Sequence, residues 1–161
     1  MFSSPDLEKE YHLWILLNHT RHAIYRAREL ELNHYDITVE QARLLFVVNA
    51  LKGKAIPTVI ARYLFRESHT ISSLINRMEK KQLVKRVKDP DNRKIVKVVL
   101  TPKGQEILEK TMVMDSIHQI MSGLSEENLN QLEFCLETLI QRAAHQIGSG
   151  VNSIIVNNPD R

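Results

Sequence analysis

The feature that most constrains this chain is a change of hydrophobic period in its middle. Ile71, Leu74, Ile75 and Met78 recur at spacings of three and four, the stripe of an amphipathic helix. Two short runs rich in Val and Ile follow, 83–88 and 95–100, joined by Asp89-Pro90-Asp91-Asn92-Arg93-Lys94. Their length, their β-branched content and the turn-forming cluster between them predict a β-hairpin with charge at its tip. A helix that runs directly into a charged hairpin leaves few folds open.

The flanking segments narrow the choice. Residues 56–64 read as a short helix with Pro57 in the first turn, where a missing N–H costs little. Ser68 is predicted to cap the next helix, which is expected to run through Gln82. Ala61 is small, as a close crossing of these two helices needs. A short helix, a tight turn and a second helix with a polar N-terminal end make a helix-turn-helix unit, and the hairpin makes it winged. Upstream, 7–32 reads as a long helix with Leu13, Leu17, Thr20, Ile24 and Ala27 on one face, and 39–51 as an apolar helix capped by Thr38 with Gln41 as partner. Downstream, Thr101-Pro102 marks a sharp helix start, and that helix is expected to continue to about 122. Gly123 stops it, and Ser125 caps a last helix to about 147. Inside the polar tail, the apolar run 151–156 is expected to dock, for example on a partner subunit. The chain is therefore mainly α, with one winged helix-turn-helix unit.

Charge distribution points to the partner. The net charge is only +3, but residues 62–103 carry twelve Lys or Arg against Glu67, Glu79, Asp89 and Asp91, leaving −5 for the rest. A basic middle between acidic ends implies that one surface meets a polyanion. The major groove of duplex DNA admits a helix and offers donors and acceptors to short side chains. Ser68, His69, Thr70, Ser72, Ser73 and Asn76 supply both kinds, and Arg77, Lys80 and Lys88 supply cations. At the hairpin tip, Arg93 and Lys94 suit the negative potential of a narrow minor groove. Asp89 and Asp91 sit poorly beside phosphates. They are expected to hold the hairpin or to pair with a basic side chain of the preceding helix such as Arg77.

The stretch Ile71-Ser72-Ser73-Leu74-Ile75-Asn76-Arg77-Met78-Glu79-Lys80-Lys81-Gln82-Leu83-Val84, the hairpin turn 89–94 and Leu100-Thr101-Pro102-Lys103-Gly104 together resemble the MarR family of bacterial regulators. The resemblance covers nearly the whole chain. It implies a homodimer in which the N-terminal and C-terminal helices entwine, with 1–37 and 104–161 as dimerisation segments and 38–103 as the DNA-binding domain. It also implies binding to a pseudo-palindromic operator on double-stranded DNA, usually as a repressor relieved by a small, often aromatic ligand. Three positions depart from the family pattern. Asn92-Arg93-Lys94 stands where the wing tip often has Asp, any residue, Arg, so either Arg93 or Lys94 takes the groove. Phe65-Arg66-Glu67 occupies a turn that often carries Gly, and Gln82 stands where Gly usually follows the recognition helix.

For a ligand, the first helix offers Tyr11, His12, Trp14 and Ile15, the second offers Arg43, whose guanidinium suits a carboxylate or phenolate, and Met112 offers an adaptable apolar contact. These residues are expected to lie between a dimer arm and a DNA lobe, where a ligand would change half-site spacing. The family's redox branch uses a cysteine in the first helix. The single cysteine here is Cys135, in the last helix and expected to be buried and inert, so no disulfide and no peroxide switch is expected. His12, His19 and His22 lack paired carboxylates, so no metal is expected, and no cofactor.

Enzymatic function is not expected, because no Gly-rich phosphate loop, nucleophile elbow or Glu-flanked metal pair is present. A general architectural DNA protein is the alternative, but the polar N-terminal half of the recognition helix exceeds what phosphate neutralisation needs. No apolar run is long enough to span a bilayer, and the acidic N-terminus does not read as a secretion signal, so a cytoplasmic protein without membrane contact is expected.

Overall fold

The computed structural model describes residues 5–90 and 92–148. In chain order it forms α1 (Pro5–Leu32), a 3-10 turn (Asn33–Tyr35), α2 (Val39–Ala50), α3 (Pro57–Tyr63), α4 (Ser68–Lys80), β1 (Val84–Lys88), β2 (Val96–Leu100), α5 (Pro102–Thr111), α6 (Asp115–Met121) and α7 (Glu126–Gln146). The mainly α winged architecture expected from the sequence is observed. Asp91 and the apolar run 151–156 lie outside the described residues.

The chain divides into two compact units, Met1–Val39 with Met114–Gly123, and Glu40–Val113 with Leu124–Arg161. In the first unit α1 packs on α6. Glu31 makes the polar joint. Its carboxylate accepts the backbone N–H groups of Asp115 at 3.1 Å and Ser116 at 3.2 Å, and the Ser116 hydroxyl. Those N–H groups belong to the first turn of α6, which has no intrahelical acceptor for them. Arg28 Nη1 lies 2.6 Å from the same carboxylate. Burial pushes the Glu31 carboxyl up, but the bonds from Arg28 and Ser116 outweigh it and hold its pKa below the ordinary value of 4.5.

This joint accounts for one difference from the sequence reading. The single helix expected from 102 to about 122 is two helices, broken where Met114 adopts a left-handed backbone with φ 55°. Thr111 prepares the break, because its hydroxyl donates to the carbonyls of Ile107 and Leu108 within its own helix. Glu31 then receives the donors that the new helix start exposes. Side-chain periodicity does not carry that signal.

In the second unit Leu44, Leu45, Ile60, Ile71, Ile75, Met78, Leu83, Val84 and Val98 form the buried core. The predicted stripe of α4 faces it. β1 and β2 pair antiparallel with Val84 opposite Leu100 and Lys88 opposite Val96. Val98 also donates to the Ala55 carbonyl at 2.7 Å, which ties the hairpin to the segment before α3.

Among the described residues, both α1 and α7 leave apolar side chains exposed. The N-terminal half of α1 exposes Leu13, Trp14, Leu16 and Leu17, and α7 exposes Phe134, Leu136 and Leu139. Cys135 was expected to be buried, but it is exposed, because this stretch of α7 has no cover among the described residues.

Candidate nucleic-acid interface

Pro57 opens α3 as expected, and the helix ends in a tight turn to α4. Arg66 N–H donates to the Ala61 carbonyl at 3.0 Å, and Phe65 takes a left-handed backbone with φ 50°. Gln82, just beyond α4, does the same with φ 59°. These are two of the positions where glycine was the expected residue. The backbone conformation that favours glycine is therefore kept although the glycine is not, at a cost of roughly 1–2 kcal/mol per residue. Gln82 also explains why α4 ends at Lys80 and not, as expected, at Gln82.

The helix start differs too. Ser68 was expected to be the cap. Glu67 is the N-cap residue, without a side-chain cap bond, and Ser68 is the first helical residue. Ser68 thereby stays on the exposed end of α4 with His69 and Thr70. Spacings of three and four align His69, Ser73, Asn76 and Lys80 along one line, opposite the buried stripe. All four are exposed, as is Arg77, while Ser72 is half-buried at the edge of that face. The His69 ring nitrogen lies 3.3 Å from the Thr70 hydroxyl.

The wing is held from inside. Asp89 is buried at 7% exposure, pairs with Lys97 and accepts the Asn92 N–H at 3.2 Å. Backbone bonds close the turn, from Asp89 N–H to the Ile95 carbonyl at 2.9 Å and from Ile95 N–H to the Asn92 carbonyl at 2.8 Å. The Asn92 side chain accepts the Lys94 N–H at 3.1 Å. Of the two roles expected for Asp89, holding the hairpin is the one with these contacts, and Lys97 is a basic partner. Asn92, Arg93 and Lys94 are exposed at the tip, and Lys88 is exposed at the end of β1.

Sequence reasoning missed the ties between wing, recognition helix and α5. Glu79 on α4 accepts the Arg86 backbone N–H at 2.9 Å and pairs with its guanidinium. Thr101 accepts the Gly104 N–H at 3.0 Å as the predicted cap of α5, and its hydroxyl donates to the Gln82 carbonyl at 2.5 Å. Lys103 donates to the Lys81 carbonyl at 3.0 Å. A Cβ on Gly104 would lie 1.9 Å from the Leu83 carbonyl oxygen, so glycine is required there. The Leu-Thr-x-x-Gly run therefore clamps the end of the recognition helix. A Glu seven residues before an Arg was the available signal for the Glu79–Arg86 pair, but such spacings are too common to stand out.

The residues singled out for a ligand fall in both units. Tyr11, His12 and Trp14 are exposed on α1 and Ile15 is half-buried there; the Tyr11 and Trp14 rings stack at 5.8 Å and 29°. Arg43 on α2 is half-buried, and Met112, just past α5, is exposed. Among the described residues, no group of three or more His, Cys, Asp or Glu is placed to hold a metal ion, and no helix is long and apolar enough to cross a membrane.

Comparison with known proteins gives the same frame. Residues 35–95 match the model of the MarR family. The chain is 33% identical over 98 residues to the HTH-type transcriptional regulator YhbI of Bacillus subtilis, covering 58% of this chain and 63% of that one. YsmB of the same organism is 29% identical over 116 residues, covering 71% and 78%. The chain thus spans less than two thirds of YhbI's length. Among solved structures, the organohalide-sensing regulator RdhR-CbdbA1625 in its 2,4-dichlorophenol-bound form matches with TM-score 0.75 at 26% identity, covering 88% of each chain. A complex of MepR from S. aureus with DNA matches with TM-score 0.71 at 25% identity, covering 80% of this chain and 96% of that one.

Proposed function

We propose that this chain, whose residues 35–95 match the model of the MarR family and whose relatives are HTH-type transcriptional regulators, is a cytoplasmic, sequence-specific DNA-binding regulator acting as a repressor. The observation that carries this reading is the exposed line His69, Ser73, Asn76 and Lys80 on a helix whose opposite face is anchored in the core. A rigidly mounted helix with donors and acceptors on one ridge suits base-edge readout in a major groove. The wing, with Arg93 and Lys94 exposed at its tip, suits the adjacent minor groove. MepR, whose fold this chain shares, is a DNA complex in its solved form, which supports the same use.

The uncovered apolar surfaces of α1 and α7 support a homodimer. Two copies would then present two recognition helices to half-sites ~34 Å apart on a pseudo-palindromic operator. A small aromatic ligand is the proposed effector. The stacked, exposed Tyr11 and Trp14 offer it ring faces, and the organohalide-sensing relative binds 2,4-dichlorophenol.

Footprinting on the DNA upstream of this protein's own gene tests the reading. The expected result is two protected half-sites related by a dyad, with protection lost on adding chlorinated phenols or aromatic acids. Uniform protection without boundaries would favour a general architectural DNA protein. Protection unchanged by every aromatic tested would remove the effector part and leave the regulator.

A further inference from the structure

Glu40, in the first turn of α2, lies at the centre of a small charged cluster. The same carboxylate oxygen is 3.4 Å from Arg43 Nη1 and 3.4 Å from Arg66 Nη2. Arg43 is one helical turn further along α2. Arg66 comes from the turn between α3 and α4, twenty-six residues away. Two guanidiniums converge here because one carboxylate offsets their repulsion, and the cluster keeps a net charge of +1.

The geometry favours a further partner. Tight charge-assisted bonds measure about 2.7–2.9 Å, so contacts of 3.4 Å orient these guanidiniums without saturating them. Each has five N–H donors, and Glu40 engages few of them. The Arg66 and Arg43 side chains are 48% and 41% exposed, against 24% for Glu40, so the cations are the open side of the cluster. The turn that carries Arg66 is fixed. Its N–H is bonded to the Ala61 carbonyl, and the left-handed Phe65 before it sets the chain direction. Arg66 stands two residues before Ser68, where the proposed base-reading helix begins.

We propose that Arg43 and Arg66, gathered by Glu40, form a binding site for one backbone phosphate of duplex DNA beside the start of the recognition helix. The site fixes the register of α4 in the groove and carries no base information of its own. It rests on the DNA-binding reading above. It assigns Arg43 to the DNA backbone, not to an aromatic effector.

The test measures affinity for the footprinted duplex against salt concentration, using the full chain and its Arg43→Ala and Arg66→Ala variants. Each phosphate contact contributes about 0.9 to the slope of log K against log salt. Each variant is expected to lower the slope by about 0.9 per bound copy, with equal loss of affinity on specific and random duplexes. A scan of the duplex with single neutral methylphosphonates reads the same contact from the other side. At one position per half-site, neutralisation is expected to weaken the unaltered protein several-fold and the Arg66→Ala variant, which keeps only Arg43 there, much less. Thermal unfolding and Arg66→Lys, which keeps the charge, separate lost contact from lost fold. Unchanged slopes in both variants, or a scan in which Arg66→Ala matches the unaltered protein at every position, overturns the phosphate site while leaving DNA binding intact. Failure of the unaltered chain to bind any duplex overturns the parent reading and this one together.

Discussion

Helices α4 and α7 are both amphipathic, and they end up in opposite situations. α4 buries Ile71, Leu74, Ile75 and Met78 inside its own chain and turns a polar ridge outward. α7 buries Ala144 but leaves Phe134 at 70% exposure, with Leu136 and Leu139 also exposed. One helix is finished by the chain that makes it. The other is left open by the described residues, and on the proposed reading a second copy completes it. On the proposed reading the polar face of α4 serves DNA and the apolar face of α7 serves self-association.

The comparison can be broken at either helix. The largest effect is expected from Phe134→Glu, which places a charge in the proposed dimer surface. Sedimentation should show monomers, and operator affinity should fall by ~10²-fold or more as the second half-site contact is lost. A dimer that survives this change would mean that α7 is not the interface. Gly104→Ala attacks the α4 side without touching DNA-facing groups. With a Cβ 1.9 Å from the Leu83 carbonyl, it should lower the unfolding free energy by roughly 3 kcal/mol in a denaturant titration. A change within error would mean that the clamp below the recognition helix yields freely. Asn76→Ala should leave stability unchanged and cost ~1–3 kcal/mol on the operator but little on random duplex. Equal loss on both would count against base readout by Asn76.

The smallest effect concerns neither surface and serves as a control. The Glu31 carboxyl is held below its ordinary pKa, so its contribution is fully present above about 4.5 and is lost as pH falls through the lowered value. Glu31→Gln should cost about 1 kcal/mol near neutral pH and remove that part of the acid sensitivity. A thermal melt series between pH 7 and pH 3 reads the difference, and it should leave operator contacts alone at pH 7.

Much of the fold was legible because it is written in local signals. The stripe of α4, the turn cluster of the wing, and Thr101 with Pro102 at the start of α5 each announce themselves within a few residues. What the sequence hid depends on distant partners. The break at Met114 follows from a carboxylate more than eighty residues earlier. Glu79 with Arg86 and Glu40 with Arg66 join elements whose juxtaposition only the fold creates. The left-handed Phe65 and Gln82 hid for another reason: neither side chain advertises that conformation, so only the resemblance to a family that often has glycine there marked the positions. The ridge on α4 was visible as a set of polar residues. Its ordering into His69, Ser73, Asn76 and Lys80 required knowing that the helix begins at Ser68 and which face is buried.

Competition binding tests the central claim most directly. The footprinted duplex and a scrambled duplex of equal length and composition would compete for the full chain at one stated salt concentration. Sequence reading by α4 and the wing predicts a preference for the footprinted duplex of ~10³-fold or more. Equal affinity for the two duplexes would contradict it and leave the basic middle of the chain as a general polyanion surface.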